Sequence, residues 1–167
     1  MAASPPPPPS LPPAACAHPL IVYQRALDSH VRRTEHWGLA VLFSRTAARV
    51  FEIVGNTDSF GYVPRAAPSY AADPAWRGGL LVAHVPRVDI DALDARLRAL
   101  PIVKSDPDFD CQIWVLAALR ALKQDGVIPP DIDVRETVVR AELELEKERW
   151  EAADDTVDER LFPFAPR

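Results

Sequence analysis

The chain holds two cysteines and four histidines, and one of the cysteines stands where a thiol could do chemistry. Cys111 follows Asp110 at the head of the run Asp106-Pro-Asp-Phe-Asp-Cys-Gln-Ile-Trp-Val-Leu-Ala-Ala-Leu-Arg-Ala-Leu-Lys-Gln-Asp-Gly126. Asp110 is a good helix N-cap, the residues behind it have high helix propensity, and Gly126 followed by Pro129 and Pro130 supplies a stop. The thiol therefore opens a helix, among unpaired backbone N–H groups at the positive end of the helix dipole. That setting favours the thiolate and nucleophilic attack. On a helical wheel Cys111 shares one face with Val115, Ala118, Leu119 and Leu122, so the sulfur points toward the core. A buried free cysteine is also an ordinary small hydrophobe, and residue chemistry alone leaves packing as the commoner explanation.

A thiol nucleophile needs a base, and the chain offers His18, His30, His36 and His84. His18 falls in a Pro-rich leader. His36 is the best candidate because it opens an apolar strand, where a rigid scaffold can present a side chain to the start of a neighbouring helix. Glu52 is the one charged residue within residues 50–54, and a carboxylate in so apolar a strand must be paired. It either orients the imidazole of His36 as the third member of a triad, or sits on a solvent-facing edge, or pairs with an arginine such as Arg49 or Arg32. Strand parity separates these readings. Directly paired residues of a hairpin share a face, so a turn leaving residues 44–47 unpaired puts His36 and Glu52 on opposite faces. An odd connection or a bulge between Phe43 and Arg49 brings them to one face.

The elements that must position these groups follow from periodicity. Residues 20–27, 36–43 and 48–54 read as strands, the last two as a hairpin with a central first strand. Residues 60–63 pair next, residues 64–79 suit a surface loop, and residues 79–85 form another strand. Ile90, Leu93, Leu97 and Leu100 then mark an amphipathic helix that Pro101 ends. The Cys111 helix follows. The run Asp133-Val-Arg-Glu136 resembles a capping box opening a long helix to about residue 153, with a Glu136–Arg140 pair and a buried stripe of Val134, Val138, Ala141 and Leu145. Ile113 and Leu116, on the otherwise polar side of the Cys111 helix, predict that this last helix packs over that side. Strands first and helices afterwards define an α+β fold, an antiparallel sheet followed by helices.

At 167 residues and 48% hydrophobic, the chain suits a single domain over residues 20–153, with a disordered Pro-rich leader at 1–19 and a C-terminal tail at 154–167. A net charge of -5 with no basic cluster argues against nucleic acid and anionic membrane as partners. The cysteine count is not that of a secreted disulfide scaffold, no apolar run is long enough to span a bilayer, and prolines stand where a signal peptide would need an apolar core. A cytoplasmic location without a transmembrane segment is the expectation. The leader could dock a partner module of the SH3 or WW kind. No Walker loop, dinucleotide fingerprint or metal-ligand cluster is present, so neither cofactor nor metal is expected.

The order His36-Trp-Gly-Leu-Ala-Val, a hairpin strand, and later Asp-Cys111-Gln-Ile-Trp-Val resembles the circularly permuted papain-like thiol enzymes. In relatives of lecithin retinol acyltransferase a His-Trp opens a strand and an Asn-Cys run opens the nucleophile helix. PPPDE-type deubiquitinating peptidases share the order and end the region with an Ile-Pro like Ile128-Pro129. The chain is also similar to fungal proteins with the same His-Trp and Cys-x-x-Trp-Val pairing. The resemblance spans about residues 35–130. It implies a permuted papain-like fold in which Cys111 is the nucleophile and His36 the general base of a hydrolase or acyl transferase acting on a peptide, isopeptide or lipid acyl bond. Two positions depart from the pattern. Asp110 replaces the usual Asn and adds negative charge beside the sulfur, with Asp106 and Asp108 near, and Glu52 stands where the acyltransferase branch has a second His. In such an enzyme Trp37, Trp114 and Asp110 would line the substrate site; the alternative is a non-catalytic protein-binding module that keeps the fold and uses the groove beside Trp37 and Trp114 or the Pro-rich leader to hold a protein partner.

Overall fold

The computed structural model describes residues 16–28 and 32–164. The five strands β1 (Ala17–Ala26), β2 (Glu35–Leu42), β3 (Ala47–Val54), β4 (Gly61–Pro68) and β5 (Trp76–Pro86) precede the helices α1 (Ile90–Arg98), α2 (Cys111–Gln124), α3 (Glu136–Glu151) and α4 (Val157–Leu161). The strands form one sheet in the order β4-β3-β2-β1-β5, with every neighbouring pair antiparallel. The protein is thus α+β, and among the described residues no helix is long and apolar enough to cross a membrane.

Alternation along the strands divides the interior in two. Leu20, Val22, Leu39, Val41, Phe51 and Ile53 point to the face covered by α1 and α2. Ile21, Tyr23, Ala40, Leu42 and Val50 point to the opposite face, with Tyr70, Trp76 and Val157. With both faces covered, the central strands β1 and β2 read as continuous apolar runs.

Several expectations shift. Residues 17–19, assigned to the leader, begin β1, while residues 1–15 and His30 lie outside the described residues. The segment from Pro64, expected to be a loop, continues β4 to Pro68 along β3. Its prolines are tolerated because β4 is an edge strand, where a missing N–H can face away from the ladder. The helix expected from Asp133 begins at Glu136. Asp133 instead accepts the Arg135 backbone N–H and pairs with the Arg135 guanidinium, so it forms a local turn and not a capping box. The Glu136–Arg140 pair is present at 2.8 Å, but the buried stripe is Val139, Leu143 and Glu146, and Ala141 and Leu145 are exposed. This helix packs chiefly on β5 and meets α2 through Arg140, which donates to Gln112 Oε1 at 2.6 Å. Gln24 on β1 anchors it by donating to the Leu143 carbonyl at 2.6 Å. Beyond Ala153, where a tail is expected, Thr156 caps α4 in a capping box, Val157 is buried, and Arg45 of the β2–β3 turn meets Asp158 at 3.1 Å.

Candidate active site

Cys111 is the first residue of α2, and Asp110 caps it by accepting the Ile113 backbone N–H at 3.0 Å. The sulfur lies at the floor of a cleft of about 860 Å³ together with His36 and Glu52. The pairing of strands explains how a residue on one face of the sheet meets a helix that covers the other. The β2–β3 ladder runs from Leu42↔Ala48 to Leu39↔Phe51 and ends there. Beyond it β2 continues to Glu35 alongside β1, and β3 continues to Val54 alongside β4. The two strands diverge like an opened zip, and the N-terminus of α2 sits at the opening.

The ladder is in even register, because Phe43 and Ser44 both donate to the Ala47 carbonyl, at 2.8 and 3.2 Å, leaving an odd three-residue connection at residues 44–46. His36 and Glu52 accordingly share a face, and His36 Nε2 lies 2.8 Å from Glu52 Oε2. The Cys111 thiol lines the same cleft as this imidazole and interacts with it. With Nε2 engaged by the carboxylate, Nδ1 is the ring nitrogen left for sulfur. Sequence position alone did not reveal two further members. Tyr23 donates its hydroxyl to Glu52 Oε2, and Arg65 donates Nε to Glu52 Oε1 at 2.8 Å. The arginines considered for Glu52 are engaged elsewhere: Arg49 with Asp91 and Asp94, Arg32 with Asp108.

Charge follows from these contacts. Burial alone would lower the pKa of His36, but its interactions with Cys111 and with the Glu52 carboxylate outweigh it and raise it to about 9. Burial alone would raise that of Glu52, yet bonds from His36, Tyr23 and Arg65 bring it down to about 2. At neutral pH the imidazole is an imidazolium held by a carboxylate. A cation beside the sulfur is what a thiolate requires. The negative charge that Asp110 brings is answered by Arg33, whose Nε lies 2.7 Å from Asp110 Oδ2.

Burial and the Glu52 charge push the Tyr23 hydroxyl well above its ordinary pKa, so it remains a neutral donor. Its position depends on Gly38, the residue paired with it across β1 and β2. A Cβ on Gly38 would lie 2.6 Å from Tyr23 Cε1, inside van der Waals contact with a ring already stacked 5.1 Å from Trp76. Gly38→Ala therefore displaces the ring or the strand. Its expected cost is about 1–3 kcal/mol in urea unfolding, typical of overpacking, with a lower His36 pKa by NMR titration. Unchanged values for both would show that Tyr23 does not support Glu52.

Trp37 and Trp114, expected beside the substrate, are core residues with 3% and 0% exposure, and neither lines the cleft. Trp37 follows His36 in a strand and must face the other way, a constraint the sequence already held. Trp114 packs 5.9 Å from the Tyr62 ring. His18 is turned away and packs edge-on against Phe43, and His84 lies exposed on β5.

The fold and site together define an antiparallel sheet with a helix-borne thiol, an imidazolium and a buried carboxylate at the opening between β2 and β3. The chain belongs to the Family of unknown function (DUF6540), whose model matches residues 20–129, the stretch that contains all of these groups. No curated protein and no solved structure matches it.

Proposed function

We propose that the protein is a cysteine-dependent hydrolase or acyl transferase acting on a peptide, isopeptide or lipid acyl bond. The carrying observation is the meeting of Cys111, His36 and Glu52 in one cleft, with His36 bonded to Glu52 at 2.8 Å, each member on a different element and the carboxylate buried. The Cys111 thiolate attacks the acyl carbon, and backbone N–H groups at the start of α2 hold the developing oxyanion. The bond to the leaving nitrogen or oxygen breaks as the His36 imidazolium gives its proton to that atom. The neutral imidazole then takes a proton from water or from an acceptor nucleophile, which attacks the thioester and releases Cys111. Glu52 keeps the ring in place and stabilises its charged form. The permuted papain-like resemblance agrees with this reading. Of the two surfaces of the binding-module reading, the groove beside Trp37 and Trp114 is not formed, since both indoles are in the core, and residues 1–15 of the Pro-rich leader lie outside the described residues.

Incubating the protein with acyl thioesters, activated esters and peptide amides, followed by intact mass measurement and mapping, tests the proposal. The expected result is an acyl adduct on Cys111 that water or an added amine discharges. Absence of any adduct across the three substrate types, in folded protein, rejects it.

The raised pKa of His36 fixes the alkaline limb. Turnover needs the imidazolium as acid, so kcat/KM falls as pH rises through about 9. The same shift acts on stability: folding raises the pKa from 6.5 to about 9, so its contribution is complete below 6.5 and is lost as pH rises through about 9. Urea midpoints and kcat/KM measured over the same alkaline series should decline together. A rate limb that stays flat through that range would remove His36 from the mechanism.

A further inference from the structure

Past His36 the cleft does not end. A second cavity of about 300 Å³ on the face opposite α2 shares Arg25, Arg65 and Asp73 with the first and continues over Val50, Tyr70 and Trp76. The shared wall is rich in donors. Each guanidinium carries five N–H groups. Arg25 meets Asp73 through a terminal nitrogen at 2.8 Å while its Nε is buried without a partner, so the pair is end-on and not the two-pronged form that fills a guanidinium. Arg65 gives Nε to Glu52, and its side chain remains 41% exposed. The acceptors are few. Glu52 is occupied by His36, Tyr23 and Arg65, and Asp73 lies in the field of both arginines.

Position adds to this. Arg25 is paired with His36 across β1 and β2, and paired residues project from the same face. An acyl group on Cys111 that extends past His36 meets the two arginines before it reaches the apolar floor formed by Val50 and Trp76.

We propose that Arg25 and Arg65 are specificity-determining residues that hold an anionic group of the substrate, a carboxylate or a phosphate, on the His36 side of the acyl carbon, with the remainder of the acyl group lying in the second cavity. The inference rests on Cys111 being the nucleophile. It adds that the acyl donor is an acid derivative carrying its own anion.

Thiol alkylation tests both ideas separately. Three reagents of one length serve as probes: N-iodoacetyl-glycinamide, which is neutral, N-iodoacetyl-glycine, a carboxylate, and N-iodoacetyl-aminomethylphosphonate. Second-order rates are measured at neutral pH for Cys111 in a Cys16→Ser protein and for the exposed Cys16 in a Cys111→Ser protein. The expected result is an anionic-to-neutral rate ratio at Cys111 about tenfold or more above that at Cys16, and falling with added salt. The larger of the two anionic ratios tells carboxylate from phosphate. Arg25→Gln should lower the ratio at least about threefold, and Arg25→Lys should retain more of it. A role in folding alone would change the three rates together and leave the ratio where it was. A ratio no higher than that of Cys16, or one that Arg25→Gln does not move, overturns the specificity proposal alone. A neutral reagent that alkylates Cys111 no faster than Cys16 overturns the thiol-enzyme reading beneath it.

Discussion

Cys111→Ser is expected to lower turnover on any acyl substrate by a factor on the order of 10⁴ or more, the scale seen when a covalent nucleophile is removed from a triad. Serine keeps the size and hydrogen-bonding of the side chain, but its hydroxyl stays protonated beside an imidazolium that is already full. Glu52 still favours the charged form of His36 in this variant, so the ring is a poor base for the serine hydroxyl. The substitution should leave the fold intact, with a loss of about 1 kcal/mol or less in urea unfolding, since one buried atom is exchanged for a similar one. Rates measured on Cys111→Ser and Cys16→Ser protein decide the matter. Retention of activity by the first, or its loss in the second, would place the chemistry elsewhere.

Glu52→Ala carries the second large effect, this time on stability. Glu52 is buried and receives hydrogen bonds from Tyr23, His36 and Arg65. Truncating it leaves one imidazolium and one partly exposed guanidinium without their counter-charge. Removing one partner of a buried ion pair costs about 3–5 kcal/mol, and the exposure of Arg65 places this case toward the lower end. The pH dependence has a definite sign. Because folding lowers the pKa of Glu52 from 4.5 to about 2, the stabilisation is complete above 4.5 and is lost as pH falls through about 2. Wild type and Glu52→Ala should therefore differ most at neutral pH and converge in strong acid. Glu52→Gln separates the two roles, since it keeps the shape and one acceptor but lowers the His36 pKa and with it the alkaline limb of the rate. Equal stability of all three proteins at neutral pH would show that the carboxylate is not structurally engaged.

Local signals in the sequence carried far, and long-range ones did not. The helix opened by Cys111 was legible because its cap, its apolar face and its stop lie within one short run, and the structure keeps each of them. The hairpin was legible as a hairpin, but its register was not. One residue more or less in the turn after Phe43 decides whether Glu52 faces His36, and the turn residues Ser44, Arg45 and Thr46 suit either length. Tyr23 and Arg65 were out of reach for another reason. Tyr23 meets Glu52 from a strand well removed in sequence, and Arg65 meets it from β4, in a segment whose prolines read as a loop. In α3 the charge of Glu146 concealed the true buried stripe. Glu146 is buried because Arg149 and Arg160 reach it at 2.6 and 2.5 Å, the second from α4, and pattern reading treats a glutamate as outward-facing. Trp37 follows His36 on a strand and so belongs to the opposite layer, while Trp114 lies on α2 and is buried against Tyr62.

The divergence of β2 from β3 has a mechanical meaning. The sheet behaves there as a fork whose stem is the paired segment from Leu39↔Phe51 to the turn, and whose two prongs carry His36 and Glu52. Each prong is stiffened by its own outer neighbour, β1 for one and β4 for the other, while the His36–Glu52 bond ties their tips. Across the mouth the prongs are joined by an ionic tie and not by a backbone ladder, so loss of the imidazole proton weakens what joins them. In the proposed mechanism the ring gives its proton to the leaving group, so the tie weakens as that group departs.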